Sequence, residues 1–212
     1  MLDLPKSTEY GKRIPKQKFY ENLSITPELR RVFVERIYQI VWQNKIAPST
    51  VNIAAGEKVE EIEVFLVHLI KPLADDKVLR QIDKEIPYHI LFLLELDGKL
   101  QAWIGYKEAS SGDNAFKVSH YYHTDWMEPD ALTLKMQGMS TDAVWENFLV
   151  QISGIKMQQD KSLDEQIAAE QRQKKINAEI AKLESMARKE KQPKKKFELV
   201  QKINELKKIW SE

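Results

Sequence analysis

The apolar positions of this 212-residue chain change rhythm several times. Leu29, Phe33, Ile37, Ile40 and Val41 recur at helical spacing behind a start signal in which Thr26 can cap, Pro27 takes the first helical position and Glu28 suits the dipole. That spacing predicts a helix ending in NKIAPST, at Pro48. EEIEVFLVHLI then reads as a strand. LADDKVLRQIDKEI reads as a short helix, capped by Asp75 or Asp76, that buries Leu79, Ile82 and Ile86.

In IPYHILFLLELDGKLQAWIGYKE, two apolar runs flank Asp97-Gly98, a dipeptide that tolerates positive φ at both positions and so predicts a type I′ antiparallel hairpin. FKVSHYYHTDW alternates as a third strand after a Ser/Gly/Asp/Asn loop. STDAVWENFLVQI places Val144, Phe148, Leu149 and Ile152 on one side of a closing helix. The pattern specifies an α+β fold, a mostly antiparallel sheet with helices on one face, over residues 1–158. The stretch before Thr26, LPKSTEYGKRIPKQKFYENL, lacks a period and reads as a basic arm.

Residues 159–212 differ in kind. From Asp160 to Ser211 only Pro193 interrupts helix-forming composition, and glycine is absent. Ile176, Ile180, Leu183 and Ala187 step by four, three and four, and Leu199, Ile203, Leu206 and Trp210 do the same. Two stripes around a proline-bearing turn predict a C-terminal α-helical hairpin of coiled-coil type. Each helix alone is marginal in water, so the stripes must pack on each other or on a partner. Ile176, Ile180, Leu183, Leu199, Ile203, Leu206 and Trp210 are therefore the candidate protein-binding residues.

Charge adds a contrast that the net value of +1 hides. Residues 1–50 carry nine Lys/Arg against five Asp/Glu, residues 51–159 ten against seventeen, and residues 160–212 fourteen against ten. An acidic middle lies between basic ends. Arg188, Lys189, Lys191, Lys194, Lys195 and Lys196 bracket Pro193 at the predicted hairpin tip. Such a cluster is a solvated turn, a phosphate contact or a contact with an acidic protein surface, and no interleaved aromatics are there to stack bases. With Lys12, Arg13, Lys16 and Lys18 of the arm, these six form the candidate nucleic-acid surface.

Chemistry narrows the field further. With no cysteine, disulfides, thiolate metal sites and cysteine nucleophiles are excluded. The absence of an apolar leader or membrane-length apolar run leads to the expectation of a cytoplasmic protein with no membrane contact. Glu60, Glu61, Glu63, Glu95, Asp97 and Lys99 could be assembled into a metal-dependent nuclease, yet Asp97-Gly98-Lys99 is explained as turn chemistry. His120 and His123, three apart on one strand, point to opposite faces, and His89 lies inside an apolar run as a core histidine. No phosphate-binding glycine loop or serine elbow occurs. Catalytic residues, metal ligands and cofactors are therefore not expected.

RIPKQKFYE, EIEVFLVHL, IDKEIPYHILFLLELDGK, YYHTDW and RKEKQPKKKFELVQKINELK together resemble the bacterial domain-of-unknown-function family numbered 4391, over nearly the whole chain. The resemblance carries no catalytic set. It implies a setting beside helicases and DNA methyltransferases of restriction-modification-like defence systems. The expectation is a non-enzymatic accessory or adaptor subunit docked on a larger helicase or methyltransferase. Direct DNA or RNA binding is the alternative and a metal-dependent nuclease the third reading.

Overall fold

The computed structural model describes residues 2–21, 25–109, 116–157 and 160–211. The chain forms two compact units, Met1–Ile155 and Lys156–Glu212. The fold is α+β in its first unit and a helical hairpin in its second.

Six strands build the first unit: β1 (Glu9–Ile14), β2 (Ile37–Ile46), β3 (Ile62–Leu69), β4 (His89–Leu96), β5 (Lys99–Ala109) and β6 (Phe116–His123), in that order across the sheet. Every neighbouring pair is antiparallel except β3–β4, which is parallel and connected through helix α2 (Lys77–Glu85). A parallel pair requires such a crossover, whereas Asp97 (φ 51°) and Gly98 (φ 78°) reverse the chain directly between β4 and β5. The Ser/Gly/Asp/Asn loop before β6 lies outside the described residues.

Helix α1 (Pro27–Arg36) starts as predicted, with the Thr26 hydroxyl accepting from Leu29 N at 3.3 Å. It stops well short of Pro48, where its apolar spacing would carry it, and Ile37–Ile46 is β2. The run from Ile37 to Trp42 is rich in β-branched and aromatic side chains, and strands on both sides supply a ladder that no local helix preference can match. The arm likewise becomes edge strand β1.

The faces of the central strands divide by parity. Phe65, Val67, Ile90, Phe92 and Leu94 pack with Phe33 of α1 and Val78, Leu79 and Ile82 of α2. The expectation of helices on one face holds for α1 and α2, whereas α3 (Thr141–Ser153) meets the other. There Trp145 approaches His89 edge-on at 4.8 Å. Val144, Phe148, Leu149 and Ile152 are buried, as their spacing requires. Ser140 caps α3 and Gly154, at φ 69°, ends it.

In the second unit, α4 (Leu163–Lys189) begins with a capping box between Ser162 and Glu165, and α5 (Pro193–Ser211) follows a three-residue turn. Among the described residues no helix is long and apolar enough to cross a membrane.

Candidate functional site

The hairpin stripes meet each other. Ile180, Leu183, Ala187 and Ile203 form a buried cluster against which Ile176, Leu199 and Leu206 pack, and Lys207 Nζ reaches Glu184 across the pair at 2.9 Å. Six of the seven stripe residues singled out in the sequence are thus inside the hairpin. The seventh, Trp210, has its side chain outside the described residues. What the helices leave outside is a smaller apolar set near the turn: Met186, Phe197 and Val200, 48%, 63% and 40% exposed. Sequence reasoning passed over these three because they fall off the heptad-like stripe. Around them Arg188, Lys189, Lys191, Lys194, Lys195 and Lys196 are all exposed.

The arm cations serve different ends. Lys16 donates to the carbonyl oxygen of Ile37 at 2.6 Å, and so caps the C-terminal end of α1 where the dipole favours a cation. Its pKa is lowered, first by burial and then by Arg13. Lys12 lies over the Tyr10 ring, 4.4 Å from its centroid. Lys18 reaches a cavity on the α1/α2 side of the sheet.

That cavity, of about 580 Å³, is built from the β1–β2–β3 sheet face and the segments flanking it. Phe19, Trp42, Phe65 and Tyr88 supply aromatic wall, and Ile14 and Ile86 aliphatic wall. Lys18 and Glu85 are exposed lining residues. Glu63 lines it as well and is only 1% exposed, with both carboxyl oxygens buried. Its pKa is pushed up to about 8, chiefly by burial, with the Glu61 carboxylate adding to the effect.

A bulge between Trp42 and Asn44 sets Lys45 directly opposite Glu63 on the β2–β3 ladder. The Lys45 ammonium nevertheless sits 2.6 Å from Glu61. This pairing raises the Lys45 pKa. One visible signal pointed here: Glu63 is a lone acid inside IEVFLVHL, a run otherwise apolar on both faces up to His68.

The nuclease set does not assemble around Glu63. Glu95 stands five register steps along the parallel β3–β4 pair, about 16 Å away and on the opposite face. There it pairs with His68 Nδ1 at 2.9 Å and accepts from Gly98 N, which together lower its pKa. Asp97 and Lys99 are exposed around the turn. Among the described residues no three His, Asp or Glu side chains stand together as a metal-ligand group.

A second buried polar cluster ties α2 to the sheet. Lys107 Nζ lies 3.0 Å from Asp83, which also accepts from the Tyr121 hydroxyl, while Arg80 donates to the carbonyl oxygen of Val118 at 2.6 Å. Tyr121 packs on Phe92 and Trp103, and Tyr122 is buried on the reverse side of β6. His89 is buried with its pKa lowered to about 3 by desolvation, so it is neutral in the fold.

These features define a mostly antiparallel α+β domain with an aromatic-walled cavity, joined to a helical hairpin. The chain belongs to the family described as Domain of unknown function (DUF4391), which it matches over residues 2–209. No curated protein and no solved structure matches it.

Proposed function

We propose that this protein is a non-enzymatic docking subunit that attaches through its helical hairpin to a larger nucleic-acid-processing protein. One observation carries the reading. The hairpin satisfies its own stripes, yet Met186, Phe197 and Val200 remain exposed beside a turn carrying six cations. Apolar anchors rimmed by charge suit a partner with an apolar groove and an acidic border. The helicase or DNA methyltransferase type of that partner follows from the family resemblance.

Co-purification from the native host tests this. A Phe197→Asp, Val200→Asp chain should keep its helical content, because both sites are exposed, and should lose a partner that mass spectrometry identifies as a nucleic-acid enzyme. Retention of that partner at full yield would refute the proposal. The exposed tip cations also support direct DNA or RNA binding. On that reading, changing Lys194, Lys195 and Lys196 to Glu weakens binding to every sequence and flattens its salt dependence, by about 0.9 in log-log slope for each phosphate no longer neutralised.

A further inference from the structure

We infer that the β1–β2 edge of the first unit, and not the hairpin tip, binds single-stranded nucleic acid, seating a phosphate between Arg13 and Lys16 and stacking the adjoining base on Tyr38. This rests on the direct DNA or RNA binding that the exposed cations support, and it places that binding in the first unit.

β2 is an inner strand, paired with β1 on one side and β3 on the other. Tyr38 nevertheless stands 64% exposed, the most of any Phe, Tyr or Trp ring among the described residues. The cause is local. The β2–β3 register shifts between Ile37 and Gln39, so Tyr38 falls in a bulge, the irregularity that re-aims a side chain. On the other side β1 pairs with β2 only as far as Ile14 opposite Ile40, after which the chain leaves the ladder through Pro15 into a short 3-10 turn, Lys16–Phe19. The ring is left uncovered.

A pocket of about 190 Å³ opens beside the ring, with Arg13, Lys16, Gln17 and Gln39 around it. Every polar side chain of that lining can donate a hydrogen bond, and none is acidic. Lys16 is held there by the end of α1, its ammonium donating to the carbonyl oxygens of Ile37 at 2.6 Å and Val34 at 3.4 Å. An ammonium has a further N–H beyond those two, and the Arg13 guanidinium is exposed. The two cations lie close enough that Arg13 adds to burial in lowering the Lys16 pKa. An anion between them relieves that repulsion.

Size and shape select the anion. The pocket is smaller than the usual site for a whole organic ligand and suits one charged group, such as a phosphate. Donors that hold a phosphate beside an uncovered ring are the means by which proteins bind single strands, cations following the backbone and rings taking the bases. Bases in a duplex are stacked on each other and offer Tyr38 no face. Lys12 and Lys18, exposed on the same arm, extend the positive track to either side.

Fluorescence anisotropy of labelled oligo(U) and oligo(dT) with the full-length chain, against a duplex of equal length, tests this. The single strands should bind more tightly than the duplex, and the tighter of the two identifies the natural strand. Tyr38→Leu, at an exposed site, should keep the melting temperature and weaken strand binding about tenfold, whereas Tyr38→Phe should retain it. Arg13→Gln should lower affinity and flatten the log-log salt slope by about 0.7, the single-strand value for one phosphate. Changing Lys194, Lys195 and Lys196 together to Glu should leave strand binding unaltered. Binding lost in that tip variant but kept in Tyr38→Leu and Arg13→Gln would overturn the assignment while leaving direct binding in place, and no binding to any nucleic acid would remove both. A duplex bound as tightly as the strands, or oligoglutamate competing as well as they do, would also overturn it.

Discussion

Lys45 stands directly across the β2–β3 ladder from Glu63, yet its ammonium lies 2.6 Å from Glu61. The sheet therefore holds two acids and one cation in close quarters, and the cation pairs with Glu61 in place of the deeper acid, Glu63. Its proton stays on until pH reaches about 8.

Stability should consequently fall as pH rises through this window. The unfolded chain gives up the Glu63 proton near 4.5, the ordinary value for a glutamate, and the fold keeps it to about 8. The contribution is complete below 4.5 and is lost progressively up to about 8, at roughly 1 kcal/mol per pH unit. Urea melts from pH 5 to pH 8 should show the midpoint of Glu63→Gln dropping less than that of the unaltered chain. Parallel pH profiles for the two would contradict this account.

Lys107 and Asp83 make the opposite kind of pair, matched and enclosed, with side chains only 4% and 1% exposed. Lys107→Met leaves the Asp83 charge buried without its cation and should cost about 3–5 kcal/mol. Adding Asp83→Asn to it should recover part of that loss. Chemical denaturation of the single and double variants measures the coupling, and simple additivity would show the pair to be energetically independent.

Gly56 is required by its surroundings, not by its dihedral angles. A Cβ there would stand 2.8 Å from the backbone nitrogen of Asp142 and closer still to its carboxylate. That carboxylate accepts from Glu57 N at 2.8 Å and Val59 N at 2.7 Å, clipping the loop before β3 to the first turn of α3. Gly56→Ala should destabilise the first unit by about 2–3 kcal/mol through overpacking and loss of these bonds. A change under about 0.5 kcal/mol in thermal unfolding would mean the clip yields freely.

Ile203 lies in the hairpin interior, 6% exposed, and Val200 one turn away is 40% exposed. Ile203→Ala should cost the hairpin about 2–4 kcal/mol and loosen amide protection along α4 and α5, while Val200→Ala should leave both within error. Hydrogen exchange resolved by peptide reads the two units separately. Equal effects at the two positions would place the packing face elsewhere.

How much could be read beforehand depended on how local the cause was. The Asp97-Gly98 turn, the Thr26 cap and Pro27 start of α1, and the apolar side of α3 each follow from a few neighbouring residues, and each was legible. The end of α1 was not, because Ile37, Ile40 and Val41 fit a helical spacing and a strand equally well. Their fate was settled by pairing with β1 and β3, segments distant in sequence. The stripe Ile176, Ile180, Leu183 against Leu199, Ile203, Leu206 was visible as a pattern, whereas the exposed Met186, Phe197 and Val200 emerged only once the stripes had closed on each other.

The cavity shows the same division. Glu63 could be seen as an acid in an apolar strand, and Trp42, Phe65 and Phe19 as apolar residues, but nothing local joined them.

The sequence by itself determined the α+β class, the hairpin extension, the position of most helices and strands, and the absence of cysteine chemistry. These depend on periodicity, turn residues and composition, which act over one or two turns of chain. Only the tertiary structure decided the parallel β3–β4 pair, the cover of α3 on the second face, the diversion of Lys45 to Glu61 and the burial of Glu63 beside a cavity. Those outcomes depend on which distant strands become neighbours and on how a bulge turns one side chain, and no short stretch of residues encodes either.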